Sequence, residues 1–355
     1  MKKGLATVAQ LGMFDAIIDA RSPAEFAEDH IPGAINCPVL DDAERARVGV
    51  LYKQVSPFAA RVAGAPLIAR NIARHIDERF ADRPRTWTPL VYCWRGGQRS
   101  GAFTHILREI GWNAQRLEGG HKSWRHHVVA ELEALPGRFS FRILSGPTGS
   151  GKSRVLEALA RQGAQVLHLE ELAAHRGSVL GPLPDRPQPP QKLFETRLHA
   201  ALSQLDPARP VYAEAESRRI GSIHLPNAMI EALRAAPCLL IDAPAAARVE
   251  FLLRDYAHYL DTPAGLGTRL SHLKGLQSNE TLGRWQALVA AGDFPALVAE
   301  LLELHYDPLY QRSQAHNFRD YRQAPRYTSA DLSPNGIEAL AAAIRAGVDE
   351  PENRT

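Results

Sequence analysis

Residues 139 to 163 run FSFRILSGPTGSGKSRVLEALARQG. The opening FSFRILSG predicts a buried strand feeding a glycine-rich turn, and SRVLEALARQG predicts the helix that leaves it. Between them, Gly146-Pro147-Thr148-Gly149-Ser150-Gly151-Lys152-Ser153 matches G-x-x-x-x-G-K-S in full. The backbone of such a loop, here Gly146, Thr148, Gly149, Ser150 and Gly151, cradles phosphate oxygens. The Lys152 ammonium reaches the terminal phosphates, and the Ser153 hydroxyl can ligate Mg²⁺. Strand, phosphate loop and helix in this order predict a P-loop NTPase-like α/β domain.

Downstream, PVYAEAES (210 to 217) and CLLIDAP (238 to 244) supply further strands. An acid that assists a phosphate loop ends a neighbouring strand, and the candidates are Asp242 in the second run or Glu214 and Glu216 in the first. Glu214-Ala215-Glu216-Ser217-Arg218-Arg219 packs two acids and two arginines into six residues, which suits a polar site at a strand end. Arg248 and Arg254 flank an apolar helix and could act as a lid over bound phosphate. The five-proline stretch GPLPDRPQPPQK (181 to 192) predicts an irregular loop. Residues 264 to 315 read as helical, with a hairpin broken at Gly292-Asp293, and the tail after Gly347 is polar and predicted to fray. His168, His175 and His272 lack the spacing of zinc ligands, so no metal is assigned beyond Mg²⁺ at Ser153.

Upstream, AIIDA (16 to 20), LVYCW (90 to 94) and AQRLEGG (114 to 120) predict strands, and PAEFAEDH and SGAFTHILREIG predict helices, the alternation of a mostly parallel sheet. Leu135-Pro136-Gly137-Arg138 breaks a helix running from about Ser123, which divides the chain into residues 1–136 and 137–355. Cys93-Trp94-Arg95-Gly96-Gly97-Gln98-Arg99-Ser100 lies between a strand and a helix. There, backbone N–H groups and the helix N-terminus can favour a thiolate, the form that attacks sulfur or carries it as a persulfide. Gly96 and Gly97 allow close backbone approach, and Arg95 and Arg99 could hold an anionic donor. Cys37 and Cys238 sit in apolar runs and are read as core residues.

The 355 residues are 45% hydrophobic, enough for two ordinary domains with separate cores. The formal charge of +3 permits a nucleic-acid partner, and only seven of 42 basic residues are lysine, a bias toward the better planar phosphate ligand. The N-terminal residues do not read as a signal peptide and no run approaches about 20 apolar residues, so no membrane partner is expected. Three widely spaced cysteines argue against both a zinc knuckle and a disulfide framework, and favour a reducing cytoplasm.

The N-terminal part resembles the rhodanese family. Ile18-Asp19-Ala20-Arg21-Ser22-Pro23-Ala24-Glu25-Phe26 with His30-Ile31-Pro32-Gly33-Ala34 is similar to its entry signature, and Leu117-Glu118-Gly119-Gly120 with Trp124 to its closing motif. The resemblance implies Cys93 as the catalytic cysteine, with Asp19 and Arg21 as supports of its loop.

Over residues 15 to 312 the chain resembles the tRNA 2-selenouridine synthase family. The further motifs are Val48-Gly49-Val50-Leu51-Tyr52-Lys53, His175-Arg176-Gly177-Ser178, Gln188 to Glu195, Glu216 to Gly221 and Tyr306-Asp307-Pro308-Leu309-Tyr310. Ala213-Glu214-Ala215-Glu216 departs from the more acidic run expected there. The resemblance implies replacement of sulfur by selenium at C2 of wobble 2-thiouridine in tRNA, with selenophosphate and geranyl diphosphate as co-substrates and an S-geranylated intermediate. No tightly bound cofactor is expected. Cys93 would carry selenium as a perselenide-like adduct, and Lys152, Ser153 and the loop amides would hold the diphosphate, although ATP or selenophosphate could occupy the same loop. The implied partners are the tRNA anticodon loop and an enzyme that makes selenophosphate. A basic surface including Arg125, His126, His127, Arg138 and Arg142 is expected to meet the tRNA. Two other readings keep the same residues: an ATP-dependent tRNA sulfurtransferase using a Cys93 persulfide, and a kinase regulated by an inactive rhodanese domain.

Overall fold

The computed structural model describes residues 4–176, 181, 186–255, 257, 263–310 and 321–349. The chain forms two compact units: residues up to Leu132 together with Pro189–Ala200, and the remainder from Glu133 onward. They do not divide at one point in the sequence, because a later segment of the chain returns to the first unit.

The first unit is built on strands β1 (Leu5–Ala6), β2 (Ala16–Asp19), β3 (Ile35–Asn36), β4 (Pro89–Tyr92) and β5 (Gln115–Leu117). Their order is β1-β5-β4-β2-β3 and every pairing is parallel. Parallel neighbours need crossovers, supplied here by α1 (Pro23–Glu28), α2 (Asp42–Gln54), α3 (Pro57–Arg79) and α4 (Gln98–Ile110), with α5 (Gly120–Ala134) after the last strand. Ser22 and Glu25 form a capping box and Pro23 takes the first turn, so α1 starts immediately after β2. Ile18, Val91, Phe103, Leu107, Ile72, Trp87 and Trp112 fill the core. All four residues of β4 are buried, as a central parallel strand requires. The three strands expected from sequence are present. The fifth helix begins at Gly120, three residues before the expected Ser123, because Gly119 and Gly120 at φ +71° and +60° turn β5 directly into it.

The second unit holds β6 (Phe141–Ser145), β7 (Gln165–Leu167), β8 (Val211–Glu214), β11 (Cys238–Asp242) and β12 (Arg326–Thr328) in the parallel order β12-β11-β6-β8-β7. A small antiparallel pair, β9 (Arg219–Ile220) and β10 (Ile223–His224), turns at Gly221. The helices are α6 (Lys152–Arg161), α7 (Leu169–Leu172), α8 (Gln191–Ser203), of which the first ten residues belong to the first unit, α9 (Asn227–Ala235) and α10 (Ala245–Asp255). A C-terminal helix, Pro334–Asp349, packs Ile337, Leu340 and Ile344 into one core with Val155, Leu156 and Leu159 of α6.

Helices Pro263–Leu270, Asn279–Ala291 and Phe294–Leu301 enclose Trp285, which is fully buried and donates to Glu300 at 3.0 Å. The break expected at Gly292-Asp293 is a left-handed turn at Gly292 followed by an N-cap, in which Asp293 accepts from the Ala296 N–H. The tail continues as helix to Asp349. Parts of four sequence readings, Gly177-Ser178, the proline stretch over 182–185, the helical pattern over 311–315 and the fraying tail over 350–355, lie outside the described residues.

Asp19 ends β2, and Arg21 two residues later is its ion-pair partner. Both are buried, and Arg21 Nη2 donates to Asp19 Oδ2 and to the Asp29 carbonyl, each at 2.6 Å. Removing one partner of such a pair leaves an uncompensated buried charge, which costs about 3–5 kcal/mol. Arg21→Met is therefore expected to lower the melting temperature markedly, and Asp19→Leu/Arg21→Met to restore much of the loss. Thermal denaturation followed by circular dichroism checks both, and a double variant no better than the single would overturn the assignment.

Candidate functional site

Cys93 is the first residue past β4, and the loop closes at Gly97, the N-cap of α4. The cysteine is 4% exposed, with Sγ 3.2 Å from the Ser100 hydroxyl in the first turn of α4. Behind the loop, the amides of His121 and Lys122 donate to the carbonyls of Cys93 and Trp94 at 2.8 and 2.9 Å. These contacts require glycine. A Cβ on Gly120 (φ +60°) would lie 2.2 Å from the Cys93 carbonyl oxygen and 2.4 Å from the Gly96 nitrogen. The first turn of α5 thus fixes the cysteine loop by backbone contact alone.

Asp19 and Arg21 lie at the end of β2, next to β4, and the Arg21 guanidinium stacks 5.5 Å from the Tyr92 ring. Arg99 is bound in bidentate fashion by Glu25. Burial alone would raise the Glu25 carboxyl, but Arg99 holds it below its ordinary range. Arg99 therefore spends its fork inside the protein, whereas Arg95 is exposed and has no ion pair among the described residues. Sequence reasoning missed His121, which is buried with Nε2 3.1 Å from Asp29 Oδ2 and with the half-exposed Trp94 ring against it at 5.6 Å. Burial pushes its imidazole pKa down. Of the residues expected to form a basic surface, Arg125 is 12% exposed, ion-paired with Glu195 and hydrogen-bonded to Thr196. His127, Trp124 and His199 form a triad of rings in mutual contact, with centroids 5.3 to 5.7 Å apart. Arg142 donates to the Phe141 carbonyl, and His126 and Arg138 are exposed.

In the second unit, the phosphate loop links β6 to α6. Gly149 and Gly151 adopt φ +82° and +80°, and a Cβ on Gly146 would lie 2.7 Å from the Ile241 carbonyl. Lys152 Nζ donates to the Gly146 carbonyl at 2.7 Å and faces the Tyr310 ring at 5.7 Å. The Tyr310 hydroxyl meets Ser145 Oγ at 2.6 Å and accepts from the Gly146 N–H. Ser150 Oγ is buried without a hydrogen-bond partner among the described residues. Thr148 gives its carbonyl to Arg248 Nε at 2.8 Å, and the same guanidinium holds Asp307 at 2.6 and 3.0 Å. Arg248, 5% exposed, is thus a clamp built into the loop, and no hinged lid.

The acids converge on Lys152. Ser153 Oγ donates to Glu170 at 2.9 Å, and Glu214 accepts from the Leu169 N–H at 2.9 Å. Burial, reinforced by the charge of Glu170, pushes the Glu214 carboxyl up to about 8. The same causes in the same order, with Glu214 added, raise Glu216 well above the ordinary range. Burial lowers the Lys152 ammonium while Glu170 and Glu216 pull it back.

Glu170 was not singled out from sequence; its only signal is the acidic pair Glu170-Glu171 just after β7. Asp242 ends β11 half exposed, 3.9 Å from Arg326. Arg218 and Arg219 are exposed, donating to Asn227 and to the Gly221 carbonyl. Arg254 donates to the Leu332 carbonyl and lines a recess of about 300 Å³ with Arg154, Asp255 and Phe251. Among the described residues no cluster of three or more His, Cys, Asp or Glu side chains forms a cation site. The Ser153 hydroxyl and Glu170 carboxylate fit Mg²⁺, which takes few protein oxygens and fills its shell with phosphate and water.

A rhodanese-like domain model matches residues 4–127, and a model described as the tRNA 2-selenouridine synthase AAA domain matches residues 139–280. The chain is 35% identical to the tRNA 2-selenouridine synthase of Nitrosomonas europaea, over 72% of this chain and 66% of that protein. For the protein of that name from Bdellovibrio bacteriovorus the values are 37%, 68% and 64%. For that from Shewanella halifaxensis they are 33%, 83% and 87%. The match thus spans slightly less than two thirds of the first two relatives and most of the third.

The raised Glu214 pKa has a stability consequence. Folded Glu214 keeps its proton up to about pH 8 while the unfolded group loses it near 4.5, so its contribution is complete below 4.5 and is lost as pH rises through 8. Between pH 6 and 8.5 the wild-type melting temperature is expected to fall more than that of Glu214→Gln, by roughly 4 °C or more. Scanning fluorimetry across that range checks this, and parallel profiles would mean that Glu214 is ionised throughout.

Proposed function

The chain belongs to the tRNA 2-selenouridine synthase family, and from that premise we propose that it replaces sulfur with selenium at C2 of wobble 2-thiouridine in tRNA. One observation carries the reading: both motifs stand intact at a strand-to-helix junction, Cys93 in its loop before α4 and Lys152-Ser153 in the first turn of α6, where the phosphate loop ends.

The first step assigned is S-geranylation. The thiocarbonyl sulfur attacks C1 of geranyl diphosphate, a carbon–sulfur bond forms, diphosphate departs with the bonding pair, and the alkylated base releases its N3 proton to water. Lys152, the loop N–H groups and the helix N-terminus stabilise that departing charge. A phosphate loop holds phosphate without needing a nucleotide base, so it can serve this substrate as well as ATP. The Ser150 hydroxyl, buried in the loop without a protein partner among the described residues, is a further donor for a bound oxyanion. Mg²⁺, held by Ser153 and Glu170, would supply charge neutralisation to the diphosphate.

In the second step selenium from selenophosphate bonds to C2, the C2–S bond breaks, and geranylthiol leaves. The thioether is the better leaving group, which gives the first step its purpose. Water takes the phosphoryl group, so the exchange needs no net oxidant. The selenium arrives at the selenide level, so no S–Se bond is formed. The Cys93 thiolate is assigned as the nucleophile that adds to C2 and expels geranylthiol, after which selenium adds to C2 and displaces the Cys93 thiolate, with Arg95 the cation open to an anionic donor. Selenophosphate must come from an enzyme that makes it. The proposed compartment is the cytoplasm; all three cysteines are free, and no described helix is long and apolar enough to cross a membrane.

The test is incubation of purified protein with tRNA carrying 2-thiouridine, selenophosphate and geranyl diphosphate, separately and together, followed by nucleoside mass analysis. Wild type is expected to make selenouridine, and to accumulate the geranylated nucleoside when selenophosphate is withheld. Lys152→Ala should lose geranylation by about 100-fold or more, as when a preorganised charge-stabilising donor is removed. Cys93→Ala should geranylate normally and fail at selenation. No mass change under any condition, ATP included, would sink the assignment; selenation or thiolation that requires ATP would favour an ATP-dependent transferase.

A further inference from the structure

The helical pair α2 and α3 plays no part in either centre, yet it carries an unusual surface. No residue of α2, thirteen residues long, is buried. It leans on α3, where Gly64 leaves room for Val48. Around the turn between the two helices, Tyr52, Val55, Phe58 and Val62 are 60%, 65%, 72% and 58% exposed. From Arg45 to Ile76 the sequence has six cations and no acid. Arg47, Lys53, Arg61, Arg70 and Arg74 are all exposed and none has an ion pair with a described carboxylate. The acids of the pair, Asp42, Glu44, Asp77 and Glu78, lie in the first turn of α2 and the last turn of α3.

We propose that the turn of this hairpin binds unpaired RNA of the tRNA substrate, with Tyr52 and Phe58 stacking on bases and the surrounding cations on phosphates. The inference rests on the function proposed above and adds a surface to it. Four of the five exposed cations are arginines, whose planar fork suits phosphate. Aromatic and cationic side chains alternate along the turn, the arrangement that single-stranded nucleic acid uses. A second copy of the chain would bring the same uncompensated positive charge.

The full chain is titrated into labelled tRNA over a series of salt concentrations, and separately into vesicles of phosphatidylserine and phosphatidylcholine. Tyr52→Ala/Phe58→Ala is expected to weaken tRNA binding by about tenfold with little change in salt slope. Lys53→Gln/Arg61→Gln is expected to lower the slope of log K against log salt by about two. All four side chains are exposed, and thermal melts identify any variant that misfolds, in which case the single substitutions replace it. Variants that bind tRNA as wild type does overturn the hairpin inference and leave the proposed function standing. The same result together with lost vesicle binding assigns the surface to membranes. Wild type that binds no tRNA overturns the proposed function and this inference with it.

Discussion

A side chain on Gly120 would lie 2.2 Å from the Cys93 carbonyl, and one on Gly146 would lie 2.7 Å from the Ile241 carbonyl. In each unit backbone therefore packs against backbone immediately beside the reactive group, at the place where a parallel strand passes into a helix. Only a residue without a Cβ permits that approach. The result is a turn whose carbonyls are fixed from behind while its reactive side chain, thiol or ammonium, emerges beside a helix N-terminus. Ligand crevices form outside the carboxyl ends of parallel strands for this reason, and the two units reach the same solution with different chemistry.

The second unit adds an electrostatic constraint. Lys152 is surrounded by Glu170, Glu214 and Glu216, which cannot all ionise close together out of water. The raised proton affinity of Glu214 and Glu216 lowers the negative charge that the cluster carries. An arriving phosphate or divalent cation changes that balance, so binding and proton release are linked. Arg248 couples this loop to Asp307, and Tyr310 contacts the first amide of the loop, so segment 306–310 is fastened to the phosphate cradle at both ends.

Much of this was legible in the sequence where a residue type is forced by backbone geometry. The phosphate loop, the cysteine loop with Gly96, and the Gly292-Asp293 break all declared themselves, because a complete motif seldom arises by chance and a left-handed turn selects glycine. Residues whose role depends on long-range packing did not. Glu170 gains its importance from Ser153, and Arg99 loses its open fork to Glu25, 74 residues away. Arg248 read as a lid residue, since nothing local reveals that Asp307 will meet it. The partners of Arg125 are likewise about 70 residues distant, so a cation counted toward an RNA surface is a structural one.

That last arrangement bears on how the protein can be divided. Arg125 bonds the Lys192 carbonyl, Thr196 and Glu195, and it stands 3.5 Å from the buried Asp29. The segment that supplies these partners is encoded beyond the phosphate loop, inside the stretch that otherwise builds the second unit. A fragment ending at the apparent boundary would strand a guanidinium and weaken the neutralisation of a buried carboxylate. The two modules are interleaved in sequence, so neither could be exchanged whole by a single crossover, and a recombined gene would have to inherit residues 189–200 together with the Arg125 helix they bind.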